Sequence, residues 1–271
     1  MKPLASLASF AGCAVALSAL LATPALAEPT AEPIAVVVGS PILEDMDFAL
    51  RPGGVEPGTK VHLLVSGLDQ TIVDVDGDAS KLTQAVDSTG KDLLEEPEQD
   101  GFGFGPDSPI GPFPSVSDDG KQLVVELAMP QTPAKGAASI TLEGVLKVRV
   151  ATGKTKAQAP NVSTAGGTFK LNGQPVEVTG LKESDWQPGK QELGLKMSSM
   201  LLESIASWTV TGPDGAELSD GPNSTMTMMD TAEVAFMLDE KVAAVTIAVE
   251  LYDGMKTVDV PLKLEVGLGV E

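Results

Sequence analysis

A chain of 271 residues with 38 acidic and 18 basic side chains carries a formal charge of −20, a surplus that repels phosphates and so excludes nucleic acid and anionic lipid as docking surfaces. Its one cysteine, Cys13, lies in an N-terminal apolar run, which leaves the rest without disulfides, thiolate metal ligands or a cysteine nucleophile. Beyond that run no segment approaches the roughly 20 apolar residues of a spanning helix, and stable membrane insertion is not expected.

The chain opens as an export signal. Lys2 supplies the positive start, an apolar run extends from Leu4 to Leu21, and Ala25-Leu26-Ala27 offers a small-x-small cleavage site. Residues 1–27 therefore read as a cleaved signal peptide. The 244 residues after it hold 17 basic and 38 acidic side chains, a charge of −21. Phe10-Ala11-Gly12-Cys13 loosely resembles a lipobox, but lipid anchoring through Cys13 would strand the apolar Ala14 to Leu21 in the mature protein. The product is expected to be periplasmic or secreted, where acidity favours solubility.

Strand patterning dominates the mature chain. Val61, Leu63 and Val65 recur at every second position, as do Leu123, Val125 and Leu127, and Ile140, Leu142, Leu146, Val148 and Val150, where Gly144 marks a bulge. Between them Ile72-Val73-Asp74-Val75-Asp76-Gly77-Asp78 sets three carboxylates beside a glycine. Asp74, Asp76 and Asp78 are candidate calcium ligands, since hard cations take carboxylate oxygens at flexible spacings. An EF-hand loop is excluded, because counting from Asp74 its glycine and final acid positions hold Ala79 and Ala85. Asp-Gly recurs at five other places, from Asp100-Gly101 to Asp253-Gly254, so the pair is this chain's ordinary turn. Two like charges about 7 Å apart on one strand face repel by only about 0.6 kcal/mol in water, so no cation is required. A strand end and a turn is the favoured reading.

Residues 95–117 form an insertion rich in glycine and proline. It keeps Phe102, Phe104 and Phe113, which either plug one end of the structure or form a binding loop. Near Ala157 to Ala165 the chain becomes rich in Ala, Pro, Gly and Ser, and a domain boundary is expected there. Asn172-Gly173 joins Phe169–Leu171 to Val176–Val178 as a hairpin. Met197, Met200, Leu201, Ser204 and Trp208 fit one helix face and fit a strand-turn-strand nearly as well. Met197, Met200, Met226, Met228 and Met229 are candidate Cu(I) ligands, because thioethers are soft donors; packing into the core is the simpler role.

The clearest local signal comes last. Val245, Ile247, Val249 and Leu251 alternate up to Asp253-Gly254, and Val258, Val260, Leu262 and Leu264 alternate after it. A two-residue loop there predicts a hairpin pairing Val249 with Val258, Ile247 with Val260 and Val245 with Leu262.

Ser80–Val86 and Ser204–Val210 share a spacing, as do Gly90-Lys91-Asp92-Leu93 and Gly215-Ala216-Glu217-Leu218, and then Lys135-Gly136-Ala137-Ala138 and Lys241-Val242-Ala243-Ala244. These anchors keep their order, which suggests a degenerate repeat. The expected fold is all-β, with two tandem immunoglobulin-like antiparallel β-sandwich domains, 28–157 and 158–271, after the signal peptide. The resemblance is architectural only, since the Cys-Trp-Cys pattern is missing.

Catalysis has few residues to use. The sole histidine, His62, points away from the core face of its strand, and no nucleophile elbow, phosphate loop or zinc-protease motif occurs. The expected function is an exported, non-catalytic binding or structural module for an extracytoplasmic or cell-surface partner, with no required cofactor. A metal-binding protein holding calcium or copper is the alternative, and a carboxylate-based hydrolase the second.

Overall fold

The computed structural model describes residues 29–39, 57–95, 110–111, 114–184 and 187–269. They are almost entirely β. In chain order the first strands are β1 (Thr30–Gly39), β2 (Gly58–Ser66), β3 (Thr71–Asp87), β4 (Ser115–Val116), β5 (Leu123–Met129) and β6 (Ser139–Ala151). Next come β7 (Gly153–Ser163), β8 (Gly167–Leu171), β9 (Gln174–Glu183), β10 (Gln191–Ser198), the single-turn helix α1 (Ser199–Glu203) and β11 (Ile205–Thr211). The chain ends with β12 (Glu217–Ser219), β13 (Ser224–Met228), β14 (Thr231–Leu238), β15 (Ala244–Asp253) and β16 (Lys256–Gly267).

Four antiparallel sheets result, in the orders β1-β2-β5-β4, β16-β6-β3, β13-β14-β10-β9-β8 and β12-β11-β15-β7. The inward residues of the first two sheets share one core, in which Leu63, Ile72, Leu127, Ile140 and Leu146 are buried. Those of the other two share a second, built round Trp208, Phe236, Leu193 and Ile247. Trp208 meets Phe236 edge to face at 5.2 Å between ring centres, the geometry favoured by the ring quadrupoles. Period-two alternation thus reaches the expected end, with polar residues out and apolar residues between paired sheets.

The last strand is where the structure departs from the sequence expectation. Asp253-Gly254 closes no hairpin. β15 pairs with β11 and β7, whereas β16 pairs along its whole length with β6, Val258 opposite Val148 and Leu262 opposite Gly144. Val260, Leu262 and Val266 accordingly pack in the first core, although the division at 157 and 158 assigns them to the second domain. The reason is physical: alternation specifies which side chains face inward, but any neighbour presenting the right face satisfies it.

The exchange is reciprocal. β6 of the first sandwich runs on into the second as its edge strand β7, and β15 of the second runs on into the first as its edge strand β16. Val150 lies opposite Lys256 and Gly153 opposite Asp253, three residues further along each strand, so the register passes through the crossing without a slip. Thr152 N donates to Asp253 O at 2.9 Å between them. Gly254 has φ +59, and a Cβ there would lie 2.3 Å from Thr152 Oγ1, so glycine is favoured where the two strands pass.

The segment expected to be a linker, 157–165, is largely β7. Its small residues and Pro160 suit an edge strand, where a missing N–H costs no ladder bond. Asn172 (φ 48) and Gly173 (φ 79) do form the tight turn between β8 and β9. One buried carboxylate holds the loops of the first sandwich together. Asp87, 3% exposed, accepts from Thr89 N at 2.8 Å, Thr89 Oγ1 at 2.7 Å, Lys91 N at 3.0 Å and Ala134 N at 2.7 Å. Burial opposes its ionisation, and these bonds outweigh burial, holding the carboxyl down at about 2.

Candidate functional site

The acidic stretch is neither a strand end nor a turn. It is a bulge inside β3: between Asp76, opposite Lys147, and Lys81, opposite Val145, the strand carries extra residues that its partner does not match. Gly144 makes room, since a Cβ there would stand 2.3 Å from the Lys81 carbonyl oxygen. The three carboxylates have separate occupations. Asp74 Oδ2 accepts from Arg149 Nη2 at 2.8 Å, and its Oδ1 accepts from Val75 N. Asp76 Oδ1 accepts from Ala79 N at 3.0 Å, closing the bulge, and Asp78 is exposed. Among the described residues no group of three or more His, Cys, Asp or Glu side chains is arranged to hold a metal ion.

Arg149 gives Asp74 a different significance. Its Nη1 donates to Glu203 Oε2 at 2.7 Å, so one guanidinium ties β3 of the first sandwich to α1 of the second beside the crossing. Burial works against its charge, and the hydrogen bonds to Asp74 and Glu203 more than offset this, raising its pKa. On the other side of the crossing Lys154 lies over the Tyr252 ring, 5.4 Å from its centre.

The methionines separate. Met197 is buried in the second core, while Met200, Met226, Met228 and Met229 are exposed. Met226 and Met228 lie on the edge strand β13, Met229 at the turn after it, and Met200 on α1, whose Ser199 N donates to Asp230 O of the same turn. Phe102, Phe104 and Phe113 lie outside the described residues. The described parts of the insertion run beside β5, with Ile110 bridging to Leu127 and Ser115 opposite Val124. His62 lies on the outer face beside Glu126, its Nε2 3.6 Å from Oε2, with Lys60 Nζ 3.1 Å from the other oxygen.

A groove of about 360 Å³ lies on the outer face of the β13-β14-β10-β9-β8 sheet, lined among others by Thr179, Gly180, Gly194, Ala235, Ser224 and Met226. Its floor is low because small residues meet there: Gly194 lies opposite Gly180 on one side and Ala235 on the other, where a bulge adjoins them. A Cβ on Gly194 would stand 2.2 Å from Thr179 Oγ1. Two ion pairs flank it, Lys182 with Glu192 at 3.2 Å and Lys196 with Glu233 at 3.3 Å. Met226, directly opposite Glu233, forms the wall toward the sheet edge. The groove thus combines a low floor of small residues, with the Thr179 hydroxyl over it, and paired charges at its margin.

Sequence reasoning does not single out this face. Its one available signal is the stretch Gly221–Met229, nine residues without a charge in a chain of −20, which reads as a source of sulfur ligands. No protein-family model matches the chain, and neither a curated protein nor a solved structure matches it.

Proposed function

We propose that this chain is an exported, non-catalytic protein of immunoglobulin-like sandwiches that serves outside the cytoplasm as a binding or structural module, using the outer face of the β13-β14-β10-β9-β8 sheet. The observation that carries the reading is the groove beside an edge strand whose five residues are all exposed. A frame whose sandwiches complete each other, with Arg149 tying them together, holds that face in a fixed place, as a binding surface built on rigid elements requires. The leader 1–27 and the acidity of the remainder support an extracytoplasmic setting.

The test is site-specific photo-crosslinking in the host, with a photoreactive residue at 226 or 233, and at exposed Lys263 on β16 as the control. A defined adduct from 226 and 233 and none from 263 is the expected result. No adduct from the first two positions, or the same adduct from all three, overturns the assignment.

A further inference from the structure

Most sheet edges in this protein are guarded against strand addition. β1 carries Pro33 with a register shift beside it, β7 carries Lys154, Lys156 and Pro160, and β16 carries Pro261 and two lysines. β3 is bulged, β8 bears exposed Lys170, β4 has two residues and β12 three. These are the devices that keep an exposed ladder from pairing with another chain. β13 has none of them. Ser224-Thr225-Met226-Thr227-Met228 contains no charge and no proline, pairs with β14 without a register shift, and has no partner on its other side among the described residues. Its methionines are 52% and 67% exposed, and Met229, in the turn after it, is 96% exposed at φ +52. A hairpin tip with positive φ ordinarily holds Gly, Asn or Asp, so an exposed methionine there serves no evident folding need.

We propose that β13 is a homotypic docking strand, which adds antiparallel to β13 of a second copy of this chain across a two-fold axis at Met226. This rests on the module assignment above and names its partner. Two features favour a second copy over another peptide. The segment can pair with itself without opposing charges: centred on Met226, Thr225 faces Thr227 of the mate and Met226 faces itself, two matched pairs, while Ser224 faces Met228. Two exported chains, each of charge −21, also repel each other least across an uncharged surface, and Gly221–Met229 supplies one. Five residues a side make an interface at or below the low end of the standard size range, about 1,200 Å², so the dimer is weak and reversible. Its association strengthens with salt, because screening removes the repulsion of the two acidic bodies.

Sedimentation velocity of the exported chain, from micromolar to several hundred micromolar at low and high salt, tests this with Met226→Glu and Met226→Lys. Both substitutions fall on an exposed edge opposite Glu233, so Met226→Glu should lower the unfolding midpoint slightly and Met226→Lys should leave it in place. The wild type is expected to dimerise reversibly, more tightly at high salt. Each variant alone, placing like charges opposite each other, should raise the dissociation constant at least tenfold, and an equal mixture of the two should restore the dimer. A wild type that stays monomeric throughout, a dimer that survives Met226→Glu, or a mixture that fails to associate overturns the homotypic proposal. A crosslink from 226 to a different protein, with a monomeric wild type, would overturn this inference and leave the module assignment standing; no crosslink at all would remove both.

Discussion

Truncating one side chain of the last strand separates this fold from the hairpin its sequence suggests. Leu262, on β16, is 3% exposed and packs in the first core opposite Gly144 of β6. Leu-to-Ala changes at buried sites cost about 2–5 kcal/mol, and with backbone on one side of the side chain little collapse can fill the space, so about 3 kcal/mol is the working figure. At 1.4 kcal/mol per factor of ten, that multiplies the opening equilibrium of the affected unit by about a hundredfold or slightly more. Native-state hydrogen exchange resolves where the loss falls. In Leu262→Ala the amides of β3, β5 and β6 should exchange about a hundredfold faster, while those of β11 and β14 change only severalfold and the unfolding of the second core, followed by Trp208 emission with Trp186 replaced by phenylalanine, shifts little. Acceleration concentrated in β11 and β15, with β3 and β6 unchanged, would refute the reasoning and favour the hairpin.

The remaining predictions use the polar groups. Asp87, held at about 2 against an ordinary 3.8, contributes stability that is fully present above its unfolded pKa and lost as pH falls through the folded value. Asp87→Asn should therefore cost about 2 kcal/mol at pH 7, and the difference from wild type should vanish by about pH 1.5 in urea titrations; a constant difference across pH would contradict the assigned bonds. Arg149→Met should lower stability by about 1 kcal/mol, less at high salt, because both partners are a third to a half exposed. A double-mutant cycle with Glu203→Gln measures the share that couples the two sandwiches, and zero coupling would remove Arg149 as a tie. Calcium, Cu(I) under reducing conditions, and EDTA should each leave the thermal midpoint unchanged. A bound ion at a hundredfold its dissociation constant adds about 2.7 kcal/mol and moves the midpoint by a few degrees, so a rise with calcium would place an ion at Asp74, Asp76 and Asp78, and one with copper at the methionines.

Local forces decide which parts of this fold are legible in the sequence. The inward faces of β2, β5 and β6 are readable because Leu63, Val125 and Val148 alternate with residues that tolerate water, and the β8–β9 turn because Asn172 and Gly173 accept positive φ. The partner of β16 is not readable, since Val258, Val260 and Leu262 fit either core. β7 resembles a linker because edge strands tolerate the proline and small residues that linkers also use. The bulge in β3 depends on Gly144, more than 60 residues away in sequence, and the function of Asp74 depends on an arginine that only the strand pairing brings near. The groove is hidden for a similar reason: Gly180, Gly194 and Ala235 are unremarkable singly and make a low floor only when three strands place them side by side.

Reciprocal completion of the two sandwiches is the central structural claim, and a pair of engineered cysteines tests it most directly, in a chain with Cys13 replaced by serine. Asp259 lies opposite Lys147 here, with Lys147 Nζ 2.7 Å from its carboxylate; in the hairpin register it would lie opposite Ala248. Directly opposed strand residues are close enough for a disulfide, and strands in different sheets are not. Under mild oxidation without denaturant, Lys147→Cys with Asp259→Cys should form the bond in nearly every molecule, and Ala248→Cys with Asp259→Cys should keep both thiols free. The opposite outcome, a bond between 248 and 259 and none between 147 and 259, would contradict the account.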